Sequence, residues 1–207
     1  MKRTKTSKQW MQEHVSDPWV QKAVAEGYRS RAAYKLLEID QKDKLLAKGQ
    51  SVVELGAAPG SWTQVLARKV LPQGKVFALD LLPMDPIAGV DILEGDFTGD
   101  DVLQALEARL AGAPIDLVLS DMAPNISGVA VSDQGRASQL WDLALEFARE
   151  HLRPGGNMLI KVFQGHAFDA FRRDMQGLFR VVHIRKPAAS RDRSTEVFLL
   201  GLDRRAD

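Results

Sequence analysis

Cysteine is absent from this chain of 207 residues. Its absence excludes disulfide bonds, thiolate metal sites, iron–sulfur clusters and cysteine nucleophiles together. Histidine is scarce as well, and the four copies, His14, His151, His166 and His183, show no metal-ligand spacing. We therefore predict that the protein binds no metal ion.

Long apolar runs are also missing. No run reaches the roughly 18 residues that a membrane-spanning helix needs. The basic N-terminus, MKRTKTSKQW, is not followed by the apolar segment of a secretory signal. The hydrophobic fraction of 45% and the charged fraction of 27% are ordinary for a globular domain. These features predict a cytoplasmic α/β enzyme that can act as a monomer.

Charge is unevenly distributed along the chain, although the net charge is only +1. Residues 1–50 hold 11 Lys/Arg against 6 Asp/Glu, residues 51–160 hold 7 against 15, and residues 161–207 hold 10 against 6. Two basic ends around an acidic middle are compatible with binding to a polyanion such as RNA. A solvated basic tail with ordinary surface charge explains the same distribution.

From Ser51 onward, short β-branched apolar runs alternate with helical patterns, which predicts a doubly wound α/β sheet. The predicted strands cover 51–55, 75–80, 90–95, 115–121, 157–163, 179–185 and 194–202. The predicted helices cover 18–26, 30–41, 61–70, 99–111, 135–152 and 166–177, with Ser30 as a cap of the second. Only eight residues join the last two strands, too few for a parallel crossover. We therefore predict a seven-stranded, mostly parallel sheet whose last strand is antiparallel.

The loop after the first predicted strand is rich in small residues and runs from Gly56 through Gly60 to Trp62. Small residues let the backbone approach a ligand at the carboxyl edge of the sheet. The glycine spacing matches neither the dinucleotide fingerprint nor the phosphate-binding loop. S-adenosylmethionine, which carries adenosine and an amino-acid tail but no phosphate, suits such a loop. The alternative is a tight strand-to-helix turn with Trp62 in the core.

Aspartates follow the next two predicted strands. Asp80 closes the second strand, 24 positions after Gly56, where a carboxylate meets ribose hydroxyls in such folds. Asp96 follows the third strand, where it can meet an adenine amino group. Each aspartate alone is more often a helix cap or turn residue, so the prediction depends on their joint placement.

The fourth predicted strand ends in Asp121, followed by Met122-Ala123-Pro124-Asn125. Enzymes that methylate exocyclic amines often carry two prolines and an aromatic residue at this point, and this chain does not. Methylation at pyrimidine C5 usually needs a cysteine, which is absent. A hydroxyl acceptor remains, and it needs a general base.

Lys161 is the candidate base, because it lies inside the apolar run NMLIKVF, where a charge is costly unless it is used or paired. An edge-strand lysine whose amine reaches solvent is the alternative. Glu196 begins the last strand, and the reversal of that strand brings it to the same sheet edge. Lys35 is a fourth candidate, although its position alone favours a solvated helical lysine.

The segments LGAAPGSW, DLLPMDPI, SDMAPN, KVFQG and the C-terminal KP, SR and STEV resemble the FtsJ/RrmJ family of bacterial ribosomal RNA 2′-O-ribose methyltransferases. The resemblance covers the chain from about Tyr28 to Leu202. It implies a Rossmann-like class I fold in residues 28–207, preceded by a basic tail or helix in residues 1–27. Ser61, where many relatives have glycine, is a departure of small size.

The resemblance also implies site residues. The family's catalytic tetrad corresponds to Lys35, Asp121, Lys161 and Glu196. S-adenosylmethionine is expected to contact the following residues: Gly56, Gly60, Trp62, Asp80, Asp96 and Asp121. The implied substrate is a uridine of 23S rRNA, in the A-loop of an assembled 50S subunit.

In the mechanism we expect, a ribose 2′-hydroxyl attacks the methyl group of the sulfonium while Lys161 removes the proton. Asp121 would orient Lys161 and touch the cofactor, and Lys35 and Glu196 would position the nucleotide. The phosphates would contact a basic surface formed by residues 1–35 and by Arg180, Arg185, Lys186, Arg191 and Arg193. Three alternatives remain: a methyltransferase acting on tRNA or an mRNA cap, a dehydrogenase, and an RNA-binding ribosome assembly factor without catalysis.

Overall fold

The computed structural model describes residues 16–124, 128, 130–191 and 194–206. The strands within these ranges are β1 (Ser51–Leu55), β2 (Lys75–Asp80), β3 (Val90–Glu94), β4 (Ile115–Ser120), β5 (Leu152–Phe163), β6 (Phe179–Arg185) and β7 (Glu196–Arg204). The helices are α1 (Pro18–Ala25), α2 (Ala33–Asp43), α3 (Ser61–Val70), α4 (Asp100–Leu110), α5 (Ala130–His151) and α6 (Phe168–Leu178). The predicted residues Asn125 and Arg193 and the basic segment 1–15 lie outside the described ranges.

The seven strands form one sheet in the order β3-β2-β1-β4-β5-β7-β6. Strand β7 runs antiparallel to both of its neighbours, β5 and β6, and the other neighbouring strands are parallel. This arrangement confirms the predicted reversal of the last strand. The strand order changes direction between β1 and β4, and ligands of open α/β sheets bind outside the carboxyl ends of the strands at such a switch point.

Helices cover both faces of the sheet because consecutive side chains of each strand point to opposite faces. Val53 and Leu55 lie in a core cluster with Leu106 of α4, Trp141 of α5 and Phe171 of α6. The alternate strand residues belong to a second cluster, in which β7 meets α2 and α3 through Phe198, Leu36, Trp62 and Leu66. The second face matters for the site, because α2 carries Lys35 on that side.

Several predicted boundaries differ from the structure. Helix α2 begins at Ala33, and Ser30 does not cap it: the Ser30 hydroxyl accepts a hydrogen bond from the Ala32 amide at 3.2 Å, within the preceding turn. Helix α5 begins five residues before the predicted start. Strand β5 likewise begins early, at Leu152, because Leu152 pairs with Ile115 ahead of a register shift.

Helix α1 is tied to α2 by side chains. Asp17 caps α1 by accepting a hydrogen bond from the Trp19 amide at 2.9 Å, and its carboxylate also pairs with Arg31. Tyr34 of α2 donates a hydrogen bond of 3.0 Å to Glu26. Among the described residues, no helix is long and apolar enough to cross a membrane.

Candidate active site

A cavity of about 620 Å³ opens at the carboxyl edge of β1, β2 and β4. It holds Gly56, Asp80, Asp96 and Asp121 of the predicted cofactor residues, and Lys161 of the predicted tetrad. Its remaining walls come from the loops after β2, β3 and β4 and from α5, through residues that include Leu81, Leu82, Phe97, Met122, Arg136 and Leu140. Three predicted strand-end aspartates therefore meet at one cavity.

The loop between β1 and α3 requires glycine at both ends. Gly56 has a φ of 79° and Gly60 a φ of 101°, a region that side chains with a Cβ rarely adopt. A Cβ at Gly56 would lie 2.7 Å from the backbone nitrogen of Met122, so the loop approaches the end of β4 closely. A Cβ at Gly60 would meet the guanidinium of Arg29. The loop is thus packed tightly on both sides.

Asp80 holds this loop in place. Its Oδ2 accepts a hydrogen bond from the Ala58 amide and its Oδ1 accepts one from the Leu82 amide, both at 2.8 Å. Because each carboxylate oxygen has two lone pairs, the side chain can still accept from two vicinal hydroxyls. Asp80 therefore both builds the loop and presents a carboxylate to the cavity.

Asp96 is exposed at the cavity wall. Its Oδ1 accepts hydrogen bonds from the Thr98 amide at 2.9 Å and from the Thr98 hydroxyl at 2.8 Å. The hydrogen bond from the Thr98 amide has the largest effect in lowering the pKa of Asp96, and the bond from the Thr98 hydroxyl lowers it further. The carboxylate therefore remains charged and can accept a hydrogen bond from an amino group.

Two predicted cofactor residues do not line the cavity. Trp62 is 2% exposed, packs its ring on Phe198 with centroids 5.6 Å apart, and donates a hydrogen bond from Nε1 to the Ala32 carbonyl at 2.8 Å. Gly60 ends the loop and lies against Arg29. The structure thus gives both residues a supporting position, and Trp62 matches the core alternative considered from the sequence.

Lys161 and Asp121 form the first pair of the tetrad. Lys161 is 8% exposed, and its Nζ donates a hydrogen bond of 2.6 Å to the Asp121 backbone carbonyl. The same Nζ lies 3.0 Å from Asp121 Oδ1, although that buried oxygen has no hydrogen bond of good geometry. The pair is positioned by β4 and β5, because Ser120 and Ile160, the residues just before Asp121 and Lys161, are register partners.

Lys35 and Glu196 form the second pair. Lys35 Nζ lies 2.6 Å from Glu196 Oε1, which also accepts a hydrogen bond from the Ser190 hydroxyl at 3.1 Å. Burial alone would raise the pKa of Glu196, but Lys35, Lys161 and Ser190 together lower it. Glu196 is therefore a carboxylate at neutral pH.

The two pairs lie on the same face of the sheet. Lys161 is the register partner of Phe198, so Glu196, two residues earlier on β7, is its diagonal neighbour. Lys161 also contributes to the lowered pKa of Glu196. Helix α2, packed on this face, supplies Lys35. The structure therefore brings the four predicted tetrad residues to one end of the β5–β7 pair.

Sequence reasoning assigned no role to Glu54, a buried carboxylate of β1 two residues before Gly56. Glu54 is 1% exposed and accepts a hydrogen bond of 2.6 Å from the hydroxyl of Thr63, which belongs to the first turn of α3. Burial raises its pKa to about 8, with smaller contributions from Asp121 and Asp80. The sequence feature that could have singled out Glu54 is its position as the one carboxylate in the otherwise largely apolar strand SVVEL.

The predicted basic surface is only partly available. Arg185 is held by Asp43 through two hydrogen bonds of 2.6 and 2.8 Å, and its side chain is 15% exposed. Arg180 pairs with Asp203 at 3.0 Å. Lys186 donates hydrogen bonds to the backbone carbonyls of Ser194 and Glu196. The side chain of Arg191 is exposed and forms no ion pair with the described residues.

Comparisons with known proteins identify the family of this chain. The FtsJ-like methyltransferase family model matches residues 28–204. A protein named ribosomal RNA large subunit methyltransferase E from Azoarcus sp. is 64% identical over 205 residues, covering 99% of this chain and 100% of the relative. The protein of the same name from Methylobacillus flagellatus is 57% identical over 205 residues, covering 99% of each chain.

Solved structures show the same fold. A ribosomal RNA methyltransferase from Plasmodium falciparum superposes with a TM-score of 0.76 at 30% identity, covering 87% of this chain and 100% of that chain. An rRNA methylase from Clostridium thermocellum, at 19% identity, has a TM-score of 0.57 over 82% of this chain and 97% of that chain, and it supports the fold alone. Because a family model matches most of the chain and close relatives match it almost end to end, the chain belongs to the FtsJ-like methyltransferase family and is a methyltransferase.

Proposed function

We propose that this methyltransferase transfers a methyl group from S-adenosylmethionine to the 2′-hydroxyl of a uridine in 23S rRNA. The observation that carries the proposal is the pairing of Lys161 with Asp121 and of Lys35 with Glu196 beside a cavity suited to an adenosine. This arrangement offers an amine for proton removal and a charged pair for positioning a ribose.

The residues of the cavity suit S-adenosylmethionine. The cofactor supplies a methyl group that is already electrophilic. Asp80 can accept hydrogen bonds from ribose hydroxyls, and Asp96 can accept one from the adenine amino group. Asp121 Oδ1 is buried without a well-aligned hydrogen bond, which leaves an acceptor for an ammonium group. Gly56 completes the wall, whereas Gly60 ends the loop and Trp62 packs in the core beneath the helix that follows it.

The tetrad residues take separate roles. Lys161 Nζ, in its neutral form, accepts the proton of the 2′-hydroxyl. Asp121 orients Lys161 by accepting from it at the backbone carbonyl and by lying 3.0 Å away at Oδ1. Lys35 and Glu196 hold the acceptor ribose, because they form an ion pair whose side chains are only partly exposed, at 13% and 12%.

The choice of ribosomal RNA as substrate is supported by the names of the relatives, which are ribosomal RNA large subunit methyltransferases. We propose the A-loop of the assembled 50S subunit as the target, with the protein acting as a monomer in the cytoplasm and without a metal ion. Residues 28–207 form the methyltransferase domain, and residues 1–27 assist RNA binding. The basic balance of residues 1–50 supports this role.

The test is methyl transfer from labelled cofactor to 50S subunits that lack this modification. The labelled RNA is then hydrolysed in alkali, because a 2′-O-methyl group protects the adjoining phosphodiester and a base methyl group does not. We expect the label in an alkali-resistant dinucleotide from the A-loop. Free 23S rRNA, tRNA and capped mRNA are assayed in parallel.

Each other outcome contradicts a specific part of the proposal. Label in mononucleotides would place the methyl group on a base. Preferred labelling of tRNA or capped mRNA would replace the proposed substrate. Tight binding to the subunit without transfer to any RNA would indicate an assembly factor that has lost catalysis.

A further inference from the structure

A second cavity, of about 310 Å³, adjoins the tetrad on the side away from the cofactor residues. It is lined by Ser30, Arg31, Ala32, Lys35, Arg191, Ser194 and Glu196. The two tetrad members on this wall, Lys35 and Glu196, do not line the larger cavity. The second cavity is therefore a separate space that borders the proposed acceptor position.

The walls of this cavity carry more positive than negative charge. Three cationic side chains line it against the single carboxylate of Glu196, and Lys35 already neutralises that carboxylate at 2.6 Å. Two guanidinium groups also line the cavity, and that of Arg31 pairs with Asp17, which is not part of the lining. Arg191 is exposed and has no ion-pair partner among the described residues, so its charge is open to a ligand.

Arg31 is fixed in place before any ligand arrives. Its guanidinium pairs with Asp17 on one side and donates a hydrogen bond to the Ala189 carbonyl on another. Its side chain is only 15% exposed. Burial, and next the nearby charge of Arg191, lower the pKa of Arg31. Two like charges that converge at one cavity repel each other, and a bound anion relieves that repulsion.

We propose that this cavity binds a phosphodiester of the acceptor RNA, on the 3′ side of the ribose that is methylated. This inference rests on the proposed function. The planar fork of a guanidinium matches two phosphate oxygens, and two arginines beside two serines give a built anion site. The volume is at the lower end of ligand cavities, which span about 300–1,000 Å³, so it suits a phosphate with its flanking atoms rather than a whole nucleotide.

The covalent structure of RNA selects the 3′ phosphate. The 2′-oxygen and the 3′-oxygen are on adjacent ribose carbons, whereas the 5′ phosphate is separated from the 2′-oxygen by two further bonds. Lys161, the proposed base, is close enough to Glu196 to influence its pKa, and Glu196 lines the second cavity. A phosphate bound there would fix the ribose through its nearest phosphodiester and leave the 2′-hydroxyl directed to Lys161.

The test compares Arg191→Gln with Arg173→Gln, which makes the same charge change on the opposite face of the sheet. Arg173 is exposed on α6, whose buried residues belong to the other core cluster. Binding of the full-length variants to unmethylated 50S subunits is measured over a range of salt concentrations, and cofactor affinity is measured by calorimetry. Binding requires no methyl transfer, so it is read separately from the proposed activity.

We expect Arg191→Gln to weaken subunit binding about tenfold, the loss of one charge-assisted hydrogen bond. The slope of log affinity against log salt should become shallower by roughly 0.7–0.9, the value for one phosphate contact. Cofactor affinity should be unchanged, and Arg173→Gln should match the wild type. Equal binding and equal salt slopes for the two variants would overturn the phosphate site, even if the wild type methylates RNA.

A second measurement assigns the phosphate. A short A-loop RNA carries one uncharged methylphosphonate, either 3′ or 5′ of the acceptor uridine, and binding is compared for wild type and Arg191→Gln. The 3′ substitution should weaken wild-type binding and have little further effect on the variant, because both changes remove the same contact. If only the 5′ substitution behaves in this way, the 3′ assignment is wrong.

Discussion

Arg29 and Pro59 are joined by a hydrogen bond of 2.9 Å, in which the guanidinium Nη1 donates to the carbonyl oxygen. Nη2 of the same side chain donates to the Pro86 carbonyl at 3.3 Å, and the Arg29 amide donates to Gln64 at 2.8 Å. One residue, located just before α2, therefore connects the loop after β1, the segment after β2 and the first turns of α3. The helix that carries Lys35 is thereby coupled to the loops that line the larger cavity.

Replacing Arg29 with alanine should weaken cofactor binding about tenfold, because the loop from Gly56 to Gly60 loses a charged donor on its outer side. Isothermal titration calorimetry with S-adenosylmethionine measures the change. Arg149→Ala, an exposed arginine paired with Glu146 on α5, is the matched control. Unchanged affinity in the Arg29 variant would show that the loop keeps its form without this contact.

Replacing Lys161 with alanine should lower the methyl-transfer rate by about 10²–10⁴, the usual contribution of a general base. Cofactor affinity should change little, because the residues assigned to adenosine remain. Single-turnover rates and calorimetry separate the two effects, and thermal unfolding confirms that the variant is folded. Lys75→Ala, at the exposed start of β2, serves as the control. A near-normal rate in the Lys161 variant would assign proton removal to another group.

Replacing Asp80 or Asp96 with alanine should weaken cofactor binding, since each change removes a charge-assisted acceptor. The larger effect is expected for Asp80, because it also holds the amides of Ala58 and Leu82. Calorimetry on both variants and on Asp169→Ala, an exposed aspartate of α6, provides the comparison. If neither variant differs from that control, the cofactor lies elsewhere.

The unfolding free energy of Glu54→Gln should rise relative to that of the wild type as the pH increases from about 4.5 to about 8. The pKa of Glu54 is raised by burial from 4.5 to about 8, so the folded state keeps a proton that the unfolded chain releases in this range. The wild type loses up to about 1.4 kcal/mol of unfolding free energy per pH unit, and glutamine has no proton to lose.

Denaturant unfolding of both proteins at pH 4.5, 6 and 8 checks this expectation, with these pH values chosen to span the ordinary and raised values of Glu54. Glu94→Gln, at the exposed end of β3, controls for the loss of a carboxylate. A difference between Glu54→Gln and the wild type that stays constant with pH would contradict the raised pKa.

Removing residues 1–15 should weaken binding to the 50S subunit and make it less sensitive to salt. This segment holds four Lys/Arg and one Asp/Glu, and each phosphate contact that is lost lowers the salt slope by roughly 0.7–0.9. The truncation leaves Asp17, the cap of α1 and partner of Arg31, in place. Sedimentation with subunits at several salt concentrations measures the effect, and cofactor affinity should be unaffected. Equal salt slopes for the truncated and the full-length protein would show that residues 1–15 make no phosphate contacts.

The strands and the shared edge of the tetrad could be predicted from the sequence, because they depend on local patterns and on one connection length. Apolar runs placed every strand, and eight linking residues required β7 to reverse. That reversal was enough to bring Glu196 to the edge that holds Asp121 and Lys161. The early start of β5 was missed because Leu152 was predicted as the last residue of the preceding helix, whereas it already pairs with Ile115.

The contacts made by α2 could not be predicted in the same way. Lys35 reaches Glu196 because α2 is fastened to the segment after β6 by hydrogen bonds from the Ala188 amide to Glu38 and from Arg31 to Ala189. These partners are more than 140 positions apart, and no local pattern encodes such a meeting. Trp62 was placed at the cofactor for a related reason: the sequence gives its position in the loop motif, but only packing shows that its ring turns toward Phe198.

The position of β7 between β5 and β6 has a consequence for the order in which a newly synthesised chain completes its fold. Lys35 and Glu196 lie 161 positions apart, so their pairing closes one of the longest loops in the chain. The residues of the larger cavity that we assign to the cofactor, Gly56, Asp80, Asp96 and Asp121, all precede residue 122. A chain emerging from synthesis therefore acquires the residues proposed for its methyl donor well before it acquires Glu196, which is proposed to hold the acceptor. If Glu196 has this role, the site is complete only when the final strand enters the sheet beside β5.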